Sequence, residues 1–291
     1  MKKLIFIVLI AVLGFTFILK EKEPVDFAVN AKAIILIDAE KGKVLYEENS
    51  KEALPIASMS KLMTQYLVLD AIEKGTLSWE TTYEPSEYVQ GALGQAAFVK
   101  LGMTSGNSYS VEELFTAMTV NSANDAAIAL AEIVGGTEEE FAELMNAQAK
   151  SFGLKETTFF NASGLDGGYV GKGKDQTNRA SARDVSVIIQ RLLSDHPKIL
   201  DFSGLTSFVA SSGTELWNTN MMLPGMPQAL PGIDGLKTGY TDEAGSCFAS
   251  TGVFDGRRII TVVIDVEADG KDTINPKFDL TRELIERFVL N

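Results

Sequence analysis

Strand-like and helix-like patterns occupy different parts of this chain, and their order limits the folds it can adopt. Alternating apolar residues over 33–38 and 43–47 predict one hairpin, and those over 247–254 and 258–266 predict another, turned at Asp255-Gly256. Helical patterns fill the middle of the chain. An antiparallel sheet assembled from both ends of the chain, flanked by helices and carrying an inserted helical lobe, accounts for this order. The sequence therefore predicts an α+β fold.

The middle and the end of the chain show helical spacing of apolar residues in several segments. A run that begins at Ser58 ends near Gly75, whereas residues 81–110 show no regular pattern and residues 161–178 read as a loop rich in glycine and polar residues. Glu138-Glu139-Glu140 opens one helix, where negative charge complements the helix dipole. We expect helices over 111–120, 125–133, 138–152, 182–193 and 276–290, and further strands over 206–211 and 235–238.

The composition excludes several classes of function. The 291 residues carry a formal net charge of −13, which repels the phosphates of nucleic acids, so we expect no nucleic-acid partner. Cys247 is the only cysteine and His196 the only histidine, which excludes an internal disulfide, a structural zinc site and a histidine-based triad. Cys247 reads as a small buried residue and His196 as a helix-end residue. We expect neither a metal ion nor another cofactor.

The first residues read as an export segment. Lys2-Lys3 precede an uncharged apolar run over residues 4–19, and a charged stretch follows. This run is slightly shorter than the about 17–25 residues of a membrane-spanning helix, and the small-x-small pattern of Ala31-Lys32-Ala33 lies far beyond it. Residues 1–24 are therefore predicted to be a signal peptide or an N-terminal membrane anchor, and they are the only membrane contact that we expect. Either alternative exports the body of the protein, to the outer face of the cell membrane or, after cleavage, to the medium.

Ser58-Met59-Ser60-Lys61 pairs a hydroxyl with an amine at the start of a helical pattern. Residues three apart lie on one face of a helix, about one turn from each other. A neutral lysine in this position can take the hydroxyl proton and leave a nucleophile. The pattern alone is weak, because serine and lysine are common. The alternative is a purely structural role, in which the serine lies at a helix start and the lysine is solvated.

Two further short motifs follow in a fixed order. Ser122-Ala123-Asn124 and Lys237-Thr238-Gly239 complete the ordered triple that penicillin-binding proteins and class A β-lactamases share. From about Phe27 to the C-terminus the chain resembles the D-alanyl-D-alanine carboxypeptidases, the low-molecular-mass penicillin-binding proteins of bacterial cell walls. Three flanking phrases strengthen the resemblance: Pro55-Ile56-Ala57, Asp125-Ala126-Ala127 and Asp234-Gly235-Leu236.

This resemblance implies a penicillin-binding protein/β-lactamase-like fold, with the active site between two lobes. Residues 25–291 would form one serine DD-peptidase catalytic domain, in which residues 25–57 and 181–291 form the α/β lobe and residues 58–180 an all-helical lobe. Many members of the family carry a further β-rich domain and an amphipathic anchor helix after this domain. The last hairpin and helix use the residues that follow Lys237, so we expect neither addition here.

The resemblance also assigns roles within the first two motifs. Ser58 is implied as the nucleophile and Lys61 as its base, whose pKa must fall from about 10.4 toward 7. Burial and the second ammonium group of Lys237 would lower this pKa. Ser122 would relay a proton between the lysines and the leaving amine, and Asn124 would hold Lys61 or the substrate amide.

The third motif is expected to bind the substrate along an edge strand. Lys237 and Thr238 offer a charge and a hydroxyl to the terminal carboxylate, and Gly239 leaves room for the substrate against the backbone. The backbone N–H of Tyr240 is implied as an oxyanion donor, together with that of Ser58. The substrate would then add to the sheet as an extra strand.

Two positions depart from the pattern of the family. Tyr240 stands where many members have histidine, although its expected role rests on the backbone. Asn218-Thr219-Asn220 carries threonine where many members have an arginine that helps to bind the carboxylate. Carboxylate binding would then rest on Lys237, Thr238 and a further cation such as Lys277.

These features predict a serine-type D-Ala-D-Ala carboxypeptidase. Such an enzyme removes the terminal D-alanine from peptidoglycan stem peptides through an acyl-enzyme and is inhibited by β-lactam antibiotics. A DD-endopeptidase on cross-linked stems uses the same motifs and stays open, as does a penicillin-binding sensor without turnover. A class A β-lactamase needs a glutamate that activates the deacylating water; the nearest candidate stretch, from Glu143 to Asn146, has the wrong spacing.

Overall fold

The structure is a computed structural model that describes residues 30–92, 99–170, 173, 175–268 and 275–291. The predicted export segment, residues 1–24, lies outside these ranges. No helix within them is long and apolar enough to cross a membrane.

Long strands are confined to one sheet, and helices occupy the middle of the chain. The strands are β1 (Ala31–Asp38), β2 (Lys43–Glu48), β3 (Leu54–Pro55), β4 (Thr82–Tyr83), β5 (Tyr109–Ser110), β6 (Arg179–Ala180), β7 (Ser207–Val209), β8 (Glu215–Trp217), β9 (Ile233–Thr241), β10 (Gly245–Phe254) and β11 (Arg257–Val266). The helices are α1 (Lys61–Glu73), α2 (Glu87–Ala92), α3 (Val111–Val120), α4 (Asn124–Gly135), α5 (Glu138–Ser151), α6 (Ala182–Asp195), α7 (Ile199–Ser203) and α8 (Pro276–Phe288), with 3₁₀ turns at Ala57–Ser60 and Gly167–Val170.

A five-stranded antiparallel sheet joins the two ends of the chain. Its strand order is β2-β1-β11-β10-β9, and β1 pairs with β11 so that Ile34 lies opposite Val263. Asp255 and Gly256 both have positive φ, at 50° and 72°, as a tight turn between twisted strands requires. The predicted sheet is therefore confirmed, and β9 lies at its edge.

Both faces of the sheet are covered, which explains the continuous apolar run of β1. Ile35 and Ile37 belong to the core cluster on one face, where α6 packs against β1 and β11. Ile34 and Leu36 pack with Phe278 of α8 on the other. A fully buried apolar side chain of this size stabilises the fold by roughly 1.5–3 kcal/mol. The sheet is thus a firm support for the edge strand β9.

Two regions differ from the predicted secondary structure. Residues 81–110 show no sequence pattern, yet they contain β4, α2 and β5. The predicted strand over 206–211 is shorter and pairs with β8, which the sequence does not signal; the short helix α7 is likewise unpredicted. Elements of two to six residues are too short to show a helical or alternating period, and tertiary packing sets them.

Candidate active site

Ser58 lies in the 3₁₀ turn Ala57–Ser60, which leads directly into α1. Two glycines let other segments approach this turn. A β-carbon on Gly164 would lie 2.0 Å from the carbonyl oxygen of Ala57, and one on Gly239 would lie 3.3 Å from the backbone nitrogen of Ser58. From the sequence, Gly239 is expected only to leave room for a substrate. The structure adds that its missing side chain lets β9 pack against the nucleophile's turn.

The amine of Lys61 is fully buried and contacts three oxygen atoms. Its Nζ lies 2.9 Å from Ser58 Oγ, 2.7 Å from Asn124 Oδ1 and 2.5 Å from the carbonyl oxygen of Ser163. The two carbonyl oxygens can only accept hydrogen bonds, so they take two N–H bonds of the amine. In a neutral amine the lone pair is then left for the hydroxyl of Ser58, which donates to it. This is the arrangement of a nucleophile beside its base.

The surroundings of Lys61 favour the neutral amine. Burial lowers its pKa well below the ordinary value, and the positive charge of Lys237 lowers it further. The carboxylates of Glu138 and Asp125 act in the opposite direction, because they raise this pKa. The pKa of Lys61 therefore reflects a balance: burial and the charge of Lys237 lower it, and two carboxylates raise it.

Lys237 lies on β9 and is also buried, with its Nζ donating to the carbonyl oxygen of Thr238 at 2.9 Å. Burial lowers the pKa of Lys237 to about 7, and the positive charge of Lys277 contributes in the same direction. Burial likewise lowers the pKa of Lys277. The positive charge of Lys277 thus lowers the pKa of Lys237, and the positive charge of Lys237 lowers the pKa of Lys61.

A cleft of about 440 Å³ opens in front of Ser58. The turn before α4 contributes Ser122, the first residue of α4 contributes Asn124, and the edge strand contributes Thr238, Gly239 and Tyr240. Ser122 has a φ of 67° and is 7% exposed. Tyr240 is 68% exposed at the rim. The cleft therefore lies between the helical segments and the sheet edge.

All eight predicted site residues are brought together at this cleft. Six of them line it, and the remaining two, Lys61 and Lys237, are buried behind it. Lys61 is linked to the lining through Ser58 and Asn124. The catalytic and substrate-binding roles of the eight residues are taken up below as part of the proposed function.

Thr219 and Lys277, which the sequence links to carboxylate binding, both line the cleft. The Oγ1 atoms of Thr219 and Thr238 are 2.6 Å apart. Lys277, from the start of α8, lines the cleft. The neighbouring Asn218 and Asn220 have structural roles, because their side chains bond to backbone groups.

Two parts of the site were missed from the sequence. The loop after Phe160 supplies the Ser163 carbonyl, which no residue pattern marks. The sequence interprets Glu138 as a complement to the helix dipole, and it does lie in the first turn of α5. Its side chain is also buried and contacts the loop, where it accepts a hydrogen bond from the backbone N–H of Ala162. Asn146 likewise holds the backbone of Phe159 and does not line the described part of the cleft.

The fold and the cleft define a protein of the penicillin-binding class, with a serine and a lysine in acyl-transfer geometry. A family model described as D-alanyl-D-alanine carboxypeptidase matches residues 19–268, and the chain belongs to this family. It is 34% identical to D-alanyl-D-alanine carboxypeptidase DacF of Bacillus subtilis over 273 residues, which cover 90% of this chain and 66% of that protein. The chain spans less than two thirds of the length of this relative, and 58% of DacC of Escherichia coli.

Solved structures agree with this placement. PBP3 of Streptococcus pneumoniae, described as a peptidoglycan synthesis regulatory factor, is 36% identical with a TM-score of 0.85, over 89% of this chain and 73% of that one. Penicillin-binding protein D2 of Listeria monocytogenes, in its cefotaxime-bound form, is 35% identical with a TM-score of 0.77. That match covers 90% of this chain and 98% of the Listeria chain.

Proposed function

We propose that this protein is a serine-type D-Ala-D-Ala carboxypeptidase that removes the terminal D-alanine from peptidoglycan stem peptides. One observation carries the proposal: the buried amine of Lys61 lies 2.9 Å from Ser58 Oγ while two carbonyl oxygens occupy its N–H bonds. An amine held in this way serves as a general base toward the hydroxyl. Membership of the carboxypeptidase family gives the class of substrate.

The reaction begins when Lys61 takes the proton of Ser58 and Oγ attacks the carbonyl carbon of the D-Ala-D-Ala bond. The backbone N–H groups of Ser58 and Tyr240 stabilise the oxyanion. Collapse of the intermediate breaks the C–N bond, and the proton passes through Lys61 and Ser122 to the leaving amine. Water then hydrolyses the ester and restores Ser58.

The edge strand β9 binds the substrate as an additional strand, because β9 is the last strand of the sheet and its residues Thr238, Gly239 and Tyr240 line the cleft. Lys237, Thr238 and Lys277 hold the terminal carboxylate, in place of the arginine that Thr219 replaces. Asn124 holds Lys61 and leaves its amide N–H₂ for the substrate. We assign residues 25–291 to the catalytic domain, with the lobe division proposed from the sequence.

β-Lactam antibiotics act as inhibitors by acylating Ser58. The Listeria relative, 35% identical, has structures described as cefotaxime-bound and ampicillin-bound, which supports this assignment. The substrate lies in the cell wall, so the enzyme works outside the cytoplasm. Residues 1–24 hold it at the outer face of the membrane or, if cleaved, release it.

Mass spectrometry of purified full-length protein tests the function. After incubation with a pentapeptide stem, the proposal predicts loss of one D-alanine, and no loss with the variant Ser58→Ala. Cross-linked stem dimers are the second substrate. Cleavage of dimers in preference to pentapeptides would show that the protein is a DD-endopeptidase. Penicillin labelling without turnover of either substrate would indicate a sensor.

A further inference from the structure

Glu138 is a buried carboxylate behind the candidate base, and the reaction described above does not use it. It is the first residue of α5 and is 2% exposed. Its Oε1 accepts a hydrogen bond from the backbone N–H of Ala162 at 3.1 Å, and its Oε2 accepts one from the hydroxyl of Tyr88 at 2.6 Å. A buried carboxylate is costly unless it is bonded or faces a positive charge. The interaction with the helix dipole does not account for this burial.

The backbone that Glu138 holds is the backbone that holds Lys61. The Ala162 N–H is bound by Glu138, the Ala162 carbonyl accepts a hydrogen bond from Thr64 at 2.8 Å, and the next carbonyl, of Ser163, accepts from Lys61. The loop is thus fixed from α5 on one side and from α1 on the other. A shift of this segment would move the acceptor that orients the amine.

Charge connects the same two residues. The pKa of Lys61 on α1 is lowered by the charge of Lys237 on β9 and raised by the carboxylates of Asp125 on α4 and Glu138 on α5. Lys277 on α8 lowers the pKa of Lys237. Of the two carboxylates, Asp125 accepts hydrogen bonds from the backbone N–H groups of Leu101 and Gly102, which belong to a different loop from Ala162. Glu138 is the carboxylate whose bonds lead to the backbone around Lys61.

We propose that Glu138 is a positioning residue for the acylation step: its buried carboxylate fixes the loop that carries the Ser163 carbonyl and balances the positive charge that Lys61 gains when it takes the proton of Ser58. The inference rests on the proposed function, in which Lys61 is the base toward Ser58. Glu138 touches neither the substrate nor the reacting atoms in this mechanism, and it acts through the loop and through its charge.

Glu138→Gln separates these two effects. The glutamine oxygen still accepts from Ala162 N–H, and its amide nitrogen donates to the oxygen of Tyr88, so the loop keeps its support while one negative charge is removed. Without this charge the pKa of Lys61 falls, and the acidic limb of the acylation profile moves to lower pH by about half a unit to one unit. One unit below the wild-type midpoint, the variant should therefore acylate several-fold faster than wild type. At high pH it should be slightly slower, because its base is weaker.

The measurement is the rate of labelling by a fluorescent penicillin between pH 5 and about 9, with D-alanine release as a second readout. Glu143→Gln is the matched control, since it removes a charge from the exposed side of the same helix and should leave the midpoint unchanged. Glu138→Ala removes the support of the loop as well, and its rate should fall at least about tenfold at every pH.

Two outcomes would overturn the proposal. One is a Glu138→Gln profile that superimposes on wild type. The other is a uniform loss of rate with an unchanged midpoint, which would show a structural role only. Failure of the proposed function is distinct from both, because it would appear in the wild-type protein, either as no acylation at Ser58 at any pH or as penicillin labelling without D-alanine release.

Discussion

The carbonyl oxygen of Ser163 lies 2.5 Å from Nζ of Lys61, although the two residues are 102 positions apart in the chain. With the side-chain oxygen of Asn124, it occupies two N–H bonds of the amine. The amine is thereby oriented with its third contact toward Ser58 Oγ. Folding of the loop onto α1 therefore orients the amine that we propose as the base.

Replacing Lys61 tests whether this amine takes the proton. Lys61→Ala should reduce acylation by a β-lactam at least about a hundredfold, as expected for loss of a general base. Lys61→Arg should be equally slow, because a guanidinium stays protonated. The rate of fluorescent penicillin labelling measures both, and Lys74→Ala is the control, since Lys74 forms an exposed ion pair with Asp70. A near-normal rate in either Lys61 variant would show that another group accepts the proton.

The sequence was sufficient for those parts of the site that depend on local spacing. Ser58 and Lys61 are three positions apart at the start of a helix, so their proximity follows from helical geometry. The burial of Cys247 and the helix-end position of His196 also followed from the local pattern. The order of strand and helix patterns gave the sheet, because its two hairpins come from the two ends of the chain.

Long-range packing decided the rest. Ser163 contributes a backbone carbonyl, and a backbone group leaves no mark on residue identity. In the sequence, the position of Glu138 in the first turn of a helix is a sufficient reason for an acidic residue. Its contact with the loop at Ala162 is visible only in the folded structure. Lys277 was one cation among several in the sequence, and the start of α8 brings it to the cleft.

Lys277→Met tests the carboxylate site that has Thr219 in place of an arginine. The variant loses a cation that lines the cleft, so KM for a D-Ala-D-Ala peptide should rise about tenfold, as for a charge-assisted hydrogen bond of about 1.5 kcal/mol. The value of kcat should change less, because Lys277 is not among the groups that contact the amine of Lys61. Steady-state D-alanine release measures both constants. Lys277→Arg keeps the charge and should retain most of the affinity; equal KM values for wild type and Lys277→Met would remove this residue from the site.

Gly164→Ala should damage the nucleophile's turn. The φ of Gly164 is 80°, and a β-carbon there would lie 2.0 Å from the carbonyl oxygen of Ala57. The matched control is Gly42→Ala, with a φ of 62° and open space around the β-carbon. The control should cost only the backbone term, about 1–2 kcal/mol. Gly164→Ala should cost clearly more and also slow penicillin labelling. Thermal unfolding and labelling rates check this, and equal melting temperatures for the two variants would contradict it.

The buried charge of Lys237 predicts how stability depends on pH. Its pKa is about 7 in the folded protein and 10.5 in the absence of burial. Between these values the unfolded chain binds a proton that the folded protein does not, so the free energy of unfolding rises as the pH increases through this window. Lys237→Met removes this contribution, and it should therefore be more stable than wild type near pH 6, with a difference that shrinks toward pH 9. Urea unfolding at three pH values measures the difference; one that is constant with pH would show that folding does not lower the pKa of Lys237.

The second half of the reaction separates this protein from a β-lactamase. Asp242 is the one acidic residue in the described lining of the cleft, and its carboxylate accepts a hydrogen bond from the hydroxyl of Tyr169 at 3.0 Å. We therefore expect deacylation to depend on Lys61 and Ser122. A peptide substrate releases D-alanine and opens space for water, whereas a penicillin keeps its ring fragment in the site.

The penicilloyl-enzyme should accordingly persist for minutes or longer while the peptide acyl-enzyme turns over at least about a hundredfold faster, a difference of about 2.7 kcal/mol in barrier. Intact-protein mass after mixing with excess penicillin follows the adduct on Ser58. D-Alanine release from a diacyl-Lys-D-Ala-D-Ala peptide gives the comparison rate. Rapid loss of the adduct without D-alanine release would make the protein a β-lactamase. A lasting adduct without peptide turnover would favour a sensor, since acylation would then be the end of the reaction.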